Sequence, residues 1–350
     1  MKSTVCFLAL ILAVIISQAE AQTGSSATFR NIRQCAACHP AQAKPHPETS
    51  MAHALESVNE CAILKDHSVL TFKNGPYSYC IERKGKDSIY SVSDGQETVT
   101  VPLLWAFGLG SVGQTYVYEK DGELYQSRVS FYREINGLDW TLASQNTKPA
   151  NLAQAAGLLM SHEESTQCFG CHATNAVENR QITFGKLIPG VQCERCHSST
   201  DNHLEGLKRG DAKLAHMNSL RPLSTEQTSN FCGQCHRTWE EIAASGRLGV
   251  LTVRFQPYRL TNSKCYDTDD KRISCTACHD PHQEINRVGA SYDGKCLACH
   301  GGGKPSARAC KTGTSNCASC HMPKIEIPGS HHAFSDHEIR IVRANAPYPN

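Results

Sequence analysis

The apolar positions of this chain change their spacing along its length, and each spacing predicts a different kind of element. Val5 to Ile16 is one unbroken apolar run, preceded by Lys2 and followed by Ala19-Glu20-Ala21. A positive start, an apolar core and a small-x-small site predict a secretory signal peptide over 1–21, removed on export. The run is too short and too poorly flanked for a membrane anchor, and no later stretch is apolar enough to span a bilayer. Between 67 and 145, apolar and polar residues alternate in Val69–Phe72, Tyr77–Ile81, Ser88–Val92, Gln114–Glu119 and Glu123–Tyr132. Asn74-Gly75, Asp94-Gly95 and Asp121-Gly122 stand among them as turns. Period-two alternation with such turns predicts antiparallel hairpins. Beyond 146 the pattern breaks into short helical pieces, such as Thr225 to Ala244, separated by turns marked with Gly and Pro. The predicted organisation is a signal peptide over 1–21, a first segment over 22–66, a β-rich module over 67–145 and a long segment over 146–350.

The long segment lacks the amphipathic helices that would give it a core of its own. Seven copies of Cys-x-x-Cys-His supply the reason. They are Cys35–His39, Cys168–His172, Cys193–His197, Cys232–His236, Cys275–His279, Cys296–His300 and Cys317–His321. With 19 Cys and 17 His in 350 residues, chance gives roughly 0.05 such motifs. Each reads as a covalent c-type haem attachment site. The paired thiols (Cys35 and Cys38, Cys168 and Cys171, Cys193 and Cys196, Cys232 and Cys235, Cys275 and Cys278, Cys296 and Cys299, Cys317 and Cys320) add to the two vinyl groups of one porphyrin. The next residue (His39, His172, His197, His236, His279, His300 or His321) binds the iron. Zinc has no need of a His after every second Cys. A thioredoxin-like motif occurs once, and a disulfide scaffold does not repeat one spacing so strictly. Seven haems supply the apolar bulk that the chain itself lacks. The expected fold is therefore a multihaem cytochrome c of short α-helices and irregular haem-wrapping segments, with an inserted antiparallel β module.

Charge changes the picture once haem is counted. The formal net charge is +2, but each oxidised haem with two axial His adds about −1, so seven move the total to roughly −5. That balance argues against a nucleic-acid partner. Gly108-Leu-Gly-Ser-Val-Gly113 fits the dinucleotide fingerprint only as a string. It lies in the β-rich stretch with no helix pattern after it, so it reads as a glycine-rich turn.

Ten His remain for the sixth iron positions, and full bis-His ligation needs seven of them. Met would raise the potential, but only Met51, Met160, Met217 and Met322 lie beyond the signal peptide. His282, after Pro281, and His203, shortly after His197, rank first as second ligands. His53, His331 and His337 follow, then His162 and His216. His46, between two Pro, reads as a surface residue, as do His67 and His332. Four further Cys form an even set, with Cys61–Cys80 and Cys265–Cys310 as the expected disulfides among three possible pairings.

The first motif followed by Ser50-Met51-Ala52-His53 resembles the opening of multihaem cytochromes related to pentahaem nitrite reductase and octahaem hydroxylamine oxidoreductase. The stretch from Cys168 through Pro189-Gly-Val-Gln-Cys193 to His203 is similar to that group, as are Cys278-His-Asp-Pro-His282 and Cys320-His-Met-Pro-Lys324. The resemblance covers about half the mature chain and implies stacked haem pairs forming an electron wire. The nitrite reductases' Cys-x-x-Cys-Lys motif does not occur here, and Tyr258, Tyr266 and Tyr292 match no cross-linking motif. The expected role is an exported electron carrier serving redox partner proteins in the periplasm or outside the cell. Two alternatives stand beside it: reduction or oxidation of a small nitrogen or sulfur compound at a five-coordinate haem, and a homo-oligomeric conducting filament.

Overall fold

The computed structural model describes residues 34–145, 147–198, 200–302, 308–343 and 345–349; the signal-peptide expectation lies outside them. The alternating stretch forms a nine-stranded antiparallel sheet. Its strands are β1 (Leu55–Ser57), β2 (Val69–Asn74), β3 (Tyr77–Lys84), β4 (Asp87–Ser93), β5 (Thr98–Phe107), β6 (Gln114–Lys120), β7 (Glu123–Tyr132), β8 (Gly137–Trp140) and β9 (Gly157–Leu159). Neighbours from β2 to β8 pair in sequence order, β1 adds to β5, and β9 adds to β7. The sheet thus reaches past 67–145 on both sides. Asp121 and Gly122 both take positive φ, 54° and 82°, which fits the two-residue hairpin geometry that Asp-Gly favours. Gly108, Gly110 and Gly113 all lie in the left-handed region in the β5–β6 connection, so this segment is a turn.

Alternation sorts the side chains. Tyr79 and Ile81 of β3, Tyr90 and Val92 of β4, Tyr116 and Tyr118 of β6, and Val129 and Phe131 of β7 point to one core. The sheet curls until its edges meet: Phe72 of β2 and Tyr79 of β3 pack against Trp140 of β8, with ring centres 6.4 and 5.9 Å apart. Arg128 is buried beside this core and donates to the carbonyls of Ser144, Thr147 and Gln154.

The same alternation overturns one expected disulfide. Cys61 is fully buried in the core and donates to Gln114 Oε1 at 3.1 Å. Cys80 lies between the inward-facing Tyr79 and Ile81, so it points to the opposite face. Cys61 and Cys80 are not bonded, and neither are Cys265 and Cys310.

Beyond Met160 the chain turns to short helices and 3-10 turns joined by irregular segments. Thr225–His236 and Trp239–Ser245 are separate helices, because Arg237 between them takes φ 69°. Among the described residues, no helix is long and apolar enough to cross a membrane.

Candidate functional site

Every Cys-x-x-Cys-His motif sits on a turn of helix. Residues 34–38 are helical. The second, fourth and sixth motifs close the helices His162–His172, Thr225–His236 and Asp293–His300. The others form Cys193–Cys196, Cys275–Cys278 and Cys317–His321. Helical spacing puts both Cys, three apart, and the His, four from the first, along one face. Capping fixes where two of these helices start. Ser161 accepts from Glu164 N, Ser224 accepts from Gln227 N, and in each case the third residue's side chain reaches back.

The sheet anchors the second motif. Phe169 is fully buried among Leu55, Trp105 and Phe107, and His172 Nδ1 donates to the Ala54 carbonyl at 2.9 Å. The first segment is fastened to the third motif. Val191 N donates to Met51 O at 2.9 Å, and Gly190, at φ 76°, has no room for a Cβ, which would stand 1.8 Å from Ala52 O.

Six of the seven motifs open onto one cavity of about 2790 Å³. An ordinary small-molecule pocket is roughly 300–1,000 Å³, so this space suits several large groups. The seventh motif reaches it through Ala318, Ser319 and Met322. Among the described residues, no three His, Cys, Asp or Glu side chains gather around a single metal point; the thiols meet as pairs between motifs. Cys35 stands close enough to Cys193 to interact, as does Cys171 to Cys235, Cys232 to Cys275, and Cys296 to Cys317. Cys196 lies within electrostatic reach of Cys235, and Cys278 of Cys296. These proximities link all seven motifs into one branched run.

Imidazoles face each other across the same space. Ring centres lie 6.3 Å apart for His39 and His203, 6.2 Å for His197 and His282, and 6.2 Å for His279 and His337. Two imidazoles binding one iron at about 2.0 Å hold their ring centres roughly 6 Å apart. Hydrogen bonds fix the other nitrogen of these rings. His203 Nδ1 donates to Ala215 O at 2.5 Å, His337 Nδ1 to Ser335 O at 3.0 Å, and His282 Nδ1 lies 2.9 Å from Asp280 Oδ1. His300 and His321 likewise donate from Nδ1, to Arg308 O and Arg340 O. Engaging Nδ1 aims Nε2 outward, the arrangement that metal-binding His adopts. Burial pulls His172 and His236 below the usual imidazole range and pushes His337 down to about 4. That keeps them neutral, the form that binds metal. The donor set and the space both fit covalently held haem.

A family model described as cytochrome c554 and c-prime matches residues 131–198, which contain the second and third motifs. The chain is also 23% identical over 197 residues to the multihaem cytochrome MtrA of Shewanella baltica (strain OS185). The chain is a multihaem c-type cytochrome. The MtrA match covers 53% of it and 50% of that relative, so the cytochrome spans about half the length of the curated relative it matches. No solved structure matches. These likenesses do not single out the nitrite reductase and hydroxylamine oxidoreductase group that the motifs resembled.

Four of the expected second ligands stand elsewhere in the cytochrome. His53 has both ring nitrogens taken, Nδ1 by Glu56 at 2.9 Å and Nε2 by Pro47 O at 2.7 Å. His331 Nε2 binds Asp139 Oδ2 at 2.7 Å, and its ring packs on Tyr132. His162 is exposed and binds Arg180 O, and His216 is exposed. Of the three read as surface residues, His67 is half-buried, bonding Ile63 O and Asn136 Oδ1 and packing on the buried Phe131 ring at 5.0 Å. His46 and His332 instead line the cavity. The sequence carried a cue for His46, because it stands in the same Pro-stiffened setting that favoured His282. For His332 against its neighbour His331, no sequence signal separates the two.

Proposed function

We propose that this protein is an exported heptahaem cytochrome, periplasmic or extracellular, that passes electrons between redox partner proteins. The observation that carries the reading is the run of thiols set close to one another, joining all seven motifs around one cavity. Haem bound at each motif supplies one reversible electron site at the iron. The chain's part is to fix spacing and tune potential. Short helices present each Cys pair and its His, carbonyls hold the imidazoles in one tautomer, and the buried walls set the dielectric. His203, His282 and His337 act as second ligands to the irons of His39, His197 and His279. The MtrA relative is described as a multihaem cytochrome, which agrees with a carrier role.

The number of cavity-lining imidazoles favours a second reading as well. Among the described residues, the cavity is lined by six of the motif His and, beyond them, by His46, His203, His282, His332 and His337. Five imidazoles serve at most five irons; the other two meet Met51, Met160, Met217 or Met322, which also line the cavity, or stay open. An open iron either binds a small nitrogen or sulfur compound or takes His from a neighbouring copy in a filament. Low-temperature EPR of the oxidised holoprotein, with haem counted by mass, tests the proposal. Seven haems is the expected result, and five or fewer of them low-spin supports the second reading. Fewer than seven haems overturns the heptahaem reading. High-spin signals that vanish on self-association identify ligands given in trans, and persistent ones that shift with nitrite or hydroxylamine identify an enzyme.

A further inference from the structure

We propose that His46 is an iron ligand, the sixth ligand of a haem other than those held by His39, His197 and His279. This rests on the haem reading above. His46 sits on the 3-10 turn His46–Glu48, with Pro45 before it and Pro47 after it. Proline fixes φ and leaves the turn few other conformations. Thr49 locks the turn from the far side, because both its N and its Oγ1 donate to the His46 carbonyl, at 2.9 and 2.7 Å. The side chain is therefore held in one place.

That place is unusual for an imidazole. His46 is 8% exposed, borders the cavity, and keeps a buried Nδ1 with no hydrogen-bond partner. A buried nitrogen without a partner is costly, and native proteins rarely tolerate one without a reason. The Val191 backbone stands within interaction reach of the ring, which restrains its orientation as an outer hydrogen bond restrains a metal ligand. Residues 191 and 46 belong to the third motif's approach and the first motif's exit, and Val191 N bonds Met51 O between them. The imidazole is thus built into the joint between two motifs. Its contrast with His53 is direct: His53 has a partner on each nitrogen and stays off the cavity wall. The irons of His39, His197 and His279 already have a facing imidazole. The iron served by His46 therefore belongs to His172, His236, His300 or His321.

The test compares holoprotein carrying His46→Ala with wild type, reading haem per chain by mass and spin state by EPR. The expected result is an unchanged haem count, one low-spin equivalent lost and one high-spin equivalent gained, with added imidazole restoring the low-spin signal. An unchanged haem count with unchanged low-spin components overturns the proposal. His46→Met serves where the Ala variant does not accumulate. One haem potential rises while the low-spin count holds if His46 is a ligand, and no potential moves if it is not. A wild-type protein with only three low-spin haems overturns the proposal without any variant. A haem count below seven in wild type counts against the heptahaem reading and leaves the His46 comparison intact.

Discussion

Arg259 and Asp336, neither with any exposed side-chain surface, form a forked ion pair: Nε to Oδ1 at 2.9 Å and Nη2 to Oδ2 at 3.0 Å. Arg340 adds a contact to Asp336 Oδ2 at 2.5 Å, and the Tyr348 ring lies 4.7 Å from the Arg259 guanidinium carbon. The pair fixes the residue beside His337. Ser263 completes the hold, donating to His337 O and accepting from Ile339 N.

Arg259→Gln removes the forked partner of buried Asp336 and leaves it only Arg340 and the Glu338 amide. Breaking such a pair costs about 3–5 kcal/mol, so thermal unfolding should shift down clearly. The same variant should release His337 and turn one low-spin haem high-spin. A melt that shifts with no change in spin state would separate a purely structural clamp from one that positions the imidazole.

His282→Met should raise one haem potential and leave the other six nearly unchanged, because a thioether ligand favours the reduced iron. The Asp280 carboxylate that holds His282 Nδ1 loses its partner at the same time. A spectroscopic redox titration with no displaced component would rule out His282 as a ligand.

His203→Ala and His53→Ala should differ sharply, although both were plausible second ligands. The first removes the imidazole facing His39 and should create one high-spin haem. The second removes only hydrogen bonds to Glu56 and Pro47, worth about 1 kcal/mol each, and should leave the EPR spectrum unchanged. Equal spectra for the two variants would contradict the geometry.

Gly190→Ala places a Cβ into the Ala52 carbonyl at a backbone angle suited to glycine. It should loosen the first segment from the third motif at a cost of about 1–3 kcal/mol. Limited proteolysis between residues 44 and 54 should accelerate in the variant. An unchanged cleavage pattern would mean that the joint tolerates the intrusion.

Cys80→Ser should change stability by about 0.5 kcal/mol or less, since Cys80 faces away from Cys61 and bonds to no other sulfur. A denaturant melt that moves by several kcal/mol would revive a disulfide.

The β module and the seven motifs were legible because each depends on local spacing. Alternation with Asn-Gly and Asp-Gly turns needs no knowledge of distant residues, and neither does Cys-x-x-Cys-His. The second ligands were harder, because a His acts on an iron brought near by the tertiary fold. His282 and His203 stood out through short distances from a motif. His53 carried the right neighbourhood but met Glu56 three residues on, a pairing that the fold chose over the cavity. His331 and His332 are adjacent, and only the chain's direction at the positive φ of His331 sends one to Asp139 and the other to the cavity wall. The paired-Cys expectation failed for the same kind of reason, since strand parity set Cys80 on the face opposite Cys61.

The facing of His39 and His203 across the cavity also orders the protein's birth. In the exported cytochrome proposed above, a chain emerging N-terminus first would present His39 long before His203, with the entire β module between them. Closing so long a loop costs entropy that only later contacts repay. On the proposed ligation, a haem attached early at the first motif would wait, with one face uncovered, until His203 has arrived beyond the third motif. The first haem fixed to the chain would then be among the last to be finished.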